Sequence, residues 1–424
     1  MKLQKILTIV LVASLGLLTL LAFKKKKQKI NYPSYKGLVM CGYQGWFRTP
    51  GDGGSRGWVH YGTRGFDTDN ITVDMWPDMS EYKKTYKTAF KNEDGSSARV
   101  FSSLDASTID THFKWMKDYG IDGVFMQRFY GITKKGKGRE EATSILKNAF
   151  KSANKYNRAI AVMYDLSGLK KEESCYETLV NDWKQLIDEI HFNKGINKEN
   201  YLHHNGKPLV AIWGVGFQER PYTATSSEVE RFMDFVQNDP KYGNFSVMLG
   251  VPTRFRTLNK DCEPDPYLHE IIKKADIVQP WLVGRYKMPD LQNDKVYRKQ
   301  IADDVAWCNA NNVYYVPAIY PGFSWYNLKR MKGQGNENNA NLNAIPRLKG
   351  AFFNKQIDIT IEEGVEMLYV AMFDEIDEGT AIFKVTNTPP VNGTFSDYEG
   401  LPSDHYLKLT GEAGKKLKAT KKVK

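Results

Sequence analysis

Residues 367–379 read MLYVAMFDEIDEG: an unbroken apolar run from Met367 to Phe373, then four carboxylates at Asp374, Glu375, Asp377 and Glu378. The apolar part is continuous rather than alternating, the pattern of a strand buried on both faces of a parallel sheet. Like charges this close raise one another's pKa and cost stability unless a ligand, proton or metal compensates. The stretch therefore reads as a buried strand ending in either a solvated acidic turn or a working site.

The same kind of run recurs upstream. GLVMCGYQGWF starts at Gly37, GVFMQRF at Gly123, AIAVMYDLSG at Ala159 and PLVAIWGVGF at Pro208; SVMLGVPTRF follows at Ser246, IVQPWLVGR at Ile277 and VYYVPAIYPGF at Val313. Between them lie helical patterns, among them STIDTHFKWMKDYG at Ser107, TSILKNAFKSANKYN at Thr143, YETLVNDWKQLIDEI at Tyr176, SEVERFMDFVQND at Ser227 and RKQIADDVAWCNANN at Arg298. Ser107 with Asp110, and Ser227 with Glu230, fit the S/T-x-x-D/E capping box. Eight strands alternating with helices predict an α/β fold, a (β/α)8 TIM barrel with a long insertion after strand 1, rich in Gly, Asp and aromatics.

The 424 residues suffice for one domain of barrel size, and 9 Trp with 24 Tyr suit a cleft that stacks on sugar rings as well as a large core. The net charge of +11 lies in the termini: seven Lys in residues 1–30, and six Lys with one Glu in residues 411–424, leave 47 basic against 48 acidic residues between them. Nothing in that body asks for nucleic acid. The apolar run 6–23, after Lys2 and Lys5, reads as an export signal or a membrane tether, and the protein is expected in a periplasm or at the cell surface. The expected organisation is thus 1–30 signal or anchor, 31–410 barrel and 411–424 lysine-rich tail, acting as a monomer. Cys41, Cys175, Cys262 and Cys308 are far apart with no C-x-x-C pair; disulfides are open to an exported chain, but core positions fit Cys41, Cys175 and Cys308 better. His203 and His204 read as a loop before a turn at Asn205-Gly206.

Barrel chemistry sits at the C-terminal strand ends. Reading those ends gives Tyr43, Gln44 and Trp46; Gln127 and Arg128; Tyr164 and Asp165; Trp213; Thr253 and Arg254; Trp281 and Arg285; Tyr320; and the acids Asp374, Glu375, Asp377 and Glu378. Carboxylates among Trp, Tyr, Arg and Gln suit a polyhydroxyl ligand. Glycoside hydrolysis needs two carboxyls near one bond, one protonated and one ionised. Glu375 and Glu378, three apart, share a face if the chain turns helically after strand 8, and their repulsion separates their pKa values. Asp165 is a third carboxylate for a sugar hydroxyl or for tuning the pair.

Leu368 to Ile382 resembles the strand 8 signature, roughly N-E-W-x-E-G-T, of the family 99 glycoside hydrolases. These endo-α-mannosidases share a (β/α)8 barrel with the family 71 α-1,3-glucanases. GYQGWF at strand 1 and IPRLKGAFFNKQID, with Arg347 before Phe352 and Phe353, are similar to the same group. The resemblance implies Glu378 as the acid/base that protonates the leaving oxygen. It implies Glu375 as the group assisting attack by the substrate's own 2-hydroxyl, through an epoxide-like intermediate with retention. It implies no cofactor and no metal. The chain departs from the pattern at Ile376, where the family has Trp, at Asp374, where it has Asn, and at Asp165-Leu166-Ser167, where a Glu-Pro-Tyr-like segment is expected. Those positions are expected to line subsites, which places the chain in a 71/99-like side branch whose bacterial members are labelled xylosidase or arabinosidase.

The sequence thus predicts a retaining glycoside hydrolase for an α-linked or pentose-containing oligosaccharide or polysaccharide. Gln44, Trp46, Arg128, Tyr164, Asp165, Trp213, Arg254, Trp281, Tyr320, Asp374 and Asp377 are the expected substrate contacts. A non-catalytic glycan-binding barrel is the competing reading, and a hard-cation site lacks any D-x-D-x-D-G loop. Arg128, Arg254 and Arg285 fit ion pairs across the barrel mouth as well as substrate contact. Trp58, Tyr61, Trp76 and Asp78 in the insertion are placed to close one end of the cleft and favour exo action.

Overall fold

The computed structural model describes residues 29–170, 173–220, 227–333 and 341–422. The chain separates into Met1–Ile30 and Asn31–Lys424, and the fold below is that of the second unit. The expected signal or tether at 6–23 lies outside the described residues.

Each apolar run contributes a strand. They are β1 (Val39–Tyr43), β2 (Gly123–Phe129), β3 (Ala159–Asp165), β4 (Lys207–Trp213), β5 (Ser246–Pro252), β6 (Ile277–Trp281), β7 in two pieces (Tyr314–Tyr315 and Ala318–Ile319) and β8 (Leu368–Val370). Neighbours in sequence pair in parallel, and β8 pairs with β1, Leu368 opposite Val39, so the sheet closes. The interruption of β7 falls at Pro317, which has no N–H to give the ladder. Tyr314 and Tyr315 meet β6 before it, and Ala318 and Ile319 meet β8 after it.

Eight helices alternate with these strands: α1 (Ala106–Tyr119), α2 (Lys137–Tyr156), α3 (Tyr176–Ile190), α4 (Ser227–Asn238), α5 (Tyr267–Lys274), α6 (Tyr297–Ala310), α7 (Ala351–Glu362) and α8 (His405–Lys422). Their apolar stripes face the barrel. On α4, Val229, Phe232, Met233 and Val236 recur at helical spacing and are buried, each side chain contributing about 1.5–3 kcal/mol relative to exposure.

The capping box expected at Ser107 does not form, and the Glu230 carboxylate of the second is engaged by α5. α1 begins at Ala106, so Ser107 lies inside it; Asp105 precedes it and spends its carboxylate on Lys84 Nζ and Tyr86 Oη, both at 2.8 Å. Glu230 of α4 accepts from Tyr267 and Lys274 of α5. The turn at Asn205-Gly206 is present, but His203 and His204 form a short strand antiparallel to the start of β4 rather than a loop. All four cysteines are free and buried. Much of the lysine-rich segment 411–424 is helical rather than a separate tail: α8 extends through Lys422, buries Leu417, and sets Lys418 Nζ 2.7 and 2.8 Å from the Asp122 carboxylate.

Between β1 and α1, residues 44–105 carry an antiparallel hairpin, Tyr86–Lys91 with Ser97–Val100. Tyr61 and Trp76 do not close the cleft. They are buried with Phe66, Phe90 and Phe101 in the insertion's own aromatic core, where Tyr61 Oη bonds the Phe101 carbonyl and Trp76 Nε1 that of Arg99.

Candidate active site

The C-terminal strand ends converge on one cavity of about 1230 Å³. Gln44 and Trp46 reach its wall from β1, Gln127 and Arg128 from β2, and Asp165 from β3. Trp213, Arg254 and Trp281 follow from β4, β5 and β6, and Glu375 and Glu378 from β8. Four polar atoms of this wall, Gln44 Oε1, Gln127 Oε1, Trp46 Nε1 and Trp213 Nε1, are buried with no hydrogen-bond partner among the described residues. Two acceptors and two donors beside indole faces match the hydroxyls and C–H faces of a sugar.

After β8 the chain enters a tight turn, not the helix that the glutamate spacing predicts. The Thr380 and Ala381 N–H groups both donate to the Glu375 carbonyl, at 3.2 and 3.0 Å. Gly379 takes φ 62°, and a Cβ there would stand 2.8 Å from Ser324 Cβ, so backbone and packing both demand glycine. Arg347 Nη2 clamps the turn from behind, donating to the carbonyls of Gly379 and Ala381 at 2.8 and 2.7 Å. The turn delivers Glu375 and Glu378 to the same cavity.

Glu375 Oε1 accepts from Gln44 Nε2 at 2.7 Å and Oε2 from Thr380 Oγ1 at 2.8 Å. Burial raises its pKa well above the ordinary glutamate value, and the charges of Glu378 and Asp377 add to this. Burial and Asp377 likewise raise Glu378, against the opposing pull of the Trp325 indole, Lys332 and Arg220. Neighbouring carboxyls of this kind titrate as a pair. Donors and cations favour an ionised carboxyl, and both members of the pair have such groups: Gln44 and Thr380 at Glu375, and the Trp325 indole, Lys332 and Arg220 at Glu378. The solvated-turn reading fails on burial: Asp374, Glu375 and Asp377 are 0, 3 and 4% exposed. Among the described residues no group of three His, Cys, Asp or Glu side chains is arranged to hold a metal.

No family model matches the chain. It is 20% identical to the glycoprotein endo-alpha-1,2-mannosidase of Rattus norvegicus over 313 residues, 73% of this chain and 60% of that protein. The Mus musculus mannosidase of the same name is 20% identical over 320 residues, 75% of this chain and 62% of that one. The chain thus spans about three fifths of the length of these relatives. Among solved structures, the GH99 endo-alpha-mannosidase from Bacteroides thetaiotaomicron, in complex with BIS-TRIS-propane, superposes with a TM-score of 0.63 at 15% identity, covering 92% of this chain and 100% of that one. The chain shares the barrel fold of that structure and resembles the endo-alpha-mannosidases in sequence.

Within the barrel, the three segments that carry the resemblance meet at the acid turn. Asp374 does not line the cavity; its Oδ1 and Oδ2 accept the peptide N–H groups of Gln44 and Gly45 at 2.8 and 2.9 Å, tying β8 to GYQGWF of β1. Burial pushes its pKa up to about 7 against those two donors. Ile376 does not line a subsite either, since it is fully buried and its carbonyl accepts from Asp74 and Met75 of the insertion at 2.9 and 3.2 Å. Asp165 does line the cavity, its Oδ1 accepting from the Ser167 N–H at 2.7 Å while burial raises its pKa.

Other expected contacts lie elsewhere. Tyr164 points out of the barrel, donating to Asp182 at 2.8 Å, and Tyr320 is buried with its hydroxyl on the Tyr286 carbonyl at 2.7 Å. Arg128 lines the cavity, but its guanidinium is committed to Asp182 through bonds of 2.5 and 2.6 Å. Asp377 is buried off the cavity, with Oδ2 3.3 Å from His60 Nδ1.

Three residues escaped the sequence reading because loops bring them in. His60, of the insertion, stacks on Trp46 with centroids 3.7 Å apart and also lines the cavity. Asp74 accepts from Ser324 Oγ and the N–H groups of Tyr326 and Asn327, at 2.5, 2.7 and 2.8 Å, holding the loop after β7 against the insertion. Arg220 follows β4. None carries a spacing signal.

Proposed function

We propose that this protein is a retaining glycoside hydrolase that cuts inside α-linked, mannose-containing glycans. The observation that carries this reading is the placement of Glu375, buried, and Glu378, half-buried, with unequal hydrogen bonding, on one turn in one barrel-mouth cavity. Glu375, its charge favoured by Gln44 and Thr380, draws the proton from the substrate's 2-hydroxyl as that oxygen attacks the anomeric carbon. Glu378 donates its proton to the departing glycosidic oxygen, then takes one from the water that attacks the anomeric carbon and opens the intermediate. Glu375 meanwhile returns its proton to the 2-oxygen as the bond from that oxygen to the anomeric carbon breaks. Trp46, Trp213 and Trp281 stack on the sugars. Mannose is preferred to a pentose, and endo to exo action, because the mannosidases it resembles are named endo-acting. The protein is further proposed to be exported, tethered or cleaved through residues 6–23, and monomeric.

The test is a screen of a soluble chain starting near Asn31 against reducing-end-labelled α-mannan, α-glucan, xylan and arabinan oligosaccharides. Internal cleavage of α-mannan is the expected result. Stepwise loss of single sugars contradicts endo action, and binding without cleavage of any glycan favours the non-catalytic reading.

A further inference from the structure

The cavity wall differs in charge from the body around it. Residues 31–410 carry 47 basic against 48 acidic residues, whereas the wall holds nine Lys and Arg against five Asp and Glu. Three of the nine are neutralised: Arg48 by Asp52 and Glu141, Arg128 by Asp182, and Arg285 by Glu219 and Asp261. The other six, Arg56, Arg220, Arg254, Lys260, Lys329 and Lys332, have no carboxylate at ion-pair distance among the described residues.

Arg220 is the most constrained of these. Its guanidinium carbon lies 5.1 Å from the centroid of the Trp213 ring, and Nη1 donates to Ser167 Oγ at 3.1 Å. Its Nε is buried with no hydrogen-bond partner, a donor left over beside two residues of the cavity wall. A neutral sugar offers hydroxyls, for which one or two cations are ample. Concentrating like charges in a low-dielectric cleft costs energy that a bound anion relieves, and the planar fork of arginine fits phosphate, sulfate and carboxylate oxygens.

We propose that the glycan taken by this cavity bears an anionic substituent, a phosphate ester, sulfate ester or carboxylate, seated on Arg220 and drawn in by the surrounding Lys and Arg side chains. This rests on the glycan-cleaving reading above.

Calorimetry on the Glu378→Gln protein tests it, with neutral α-mannan oligosaccharides and the same oligosaccharides bearing a phosphate monoester, a sulfate ester or a uronic acid. One charged form is expected to bind at least about tenfold more tightly than its neutral parent, since a hydrogen bond to a charged group is worth that much. The preference shrinks at high salt. A second substitution, Arg220→Gln, removes it; Arg220→Lys keeps part of it; and Lys332→Gln, at an exposed position, weakens it without touching the fold. Neutral and charged forms binding within about twofold of each other, or a preference unchanged in Arg220→Gln, overturns the proposal and leaves the glycosidase reading standing. Binding of none of the oligosaccharides takes down both.

Discussion

Asp374 uses its two oxygens for two different peptide N–H groups, which an amide cannot do, because one of its two atoms is itself a donor. Asp374→Asn therefore sets an NH2 against the N–H of Gln44 or Gly45, although asparagine is the residue of the signature it resembles. The substitution is expected to cost about 1–3 kcal/mol in urea unfolding; an unchanged midpoint contradicts this. Asp377 acts on the glutamates by charge alone. As a general acid, Glu378 works while protonated, so activity is present below its raised pKa and is lost as pH rises through it. Asp377→Asn removes one cause of the elevation, and the alkaline limb of the kcat/KM profile is expected to move to lower pH. The sequence placed both glutamates but misassigned their neighbours for a geometric reason: successive strand residues face opposite ways. Since Asp165 faces the cavity, Tyr164 must face Asp182, an alternation hidden by the continuous apolar run. Asp374 and Ile376 likewise turn away from the wall that Glu375 joins.

At the scale of elements, the acid turn is held by three others: β1 through Asp374, the insertion through the Ile376 carbonyl, and the segment before α7 through Arg347. Gly379 is its tightest point. Gly379→Ala forces a side chain into left-handed backbone against Ser324, and is expected to cost about 1–3 kcal/mol and to lower kcat by shifting Glu378. Wild-type kcat in that variant would mean that the turn tolerates displacement. The strands were legible because eight runs of the same character recur at barrel spacing. The helix starts were not, since Asp105 precedes the Ser107 that the box requires. The insertion's contacts could not be read at all: Asp74 and Ser324 are 250 positions apart.

For the whole molecule, buried ionisable groups set the dependence of stability on pH. Asp74 and Asp304, raised by burial to about 6, and Asp374, raised to about 7, stabilise the fold fully below the ordinary aspartate pKa and lose that contribution as pH rises through the raised values. His112, buried between Tyr43 and Tyr82 and lowered to about 3, works oppositely: its contribution is present above the ordinary histidine value and lost as pH falls. The two trends offset between the ordinary aspartate and histidine values. Above the latter, only the carboxyls still titrate, so the urea midpoint is expected to fall from neutral to mildly alkaline pH; a rise there contradicts the assignment.

Cleavage of a glycosidic bond by the Glu375 and Glu378 pair is tested by kcat for wild type and Glu378→Gln on the α-mannan oligosaccharide that the screen selects, with Kd measured alongside. A fall in kcat of about 10²–10⁴-fold is expected, with Kd nearly unchanged. Wild-type turnover by Glu378→Gln would contradict that role for the pair.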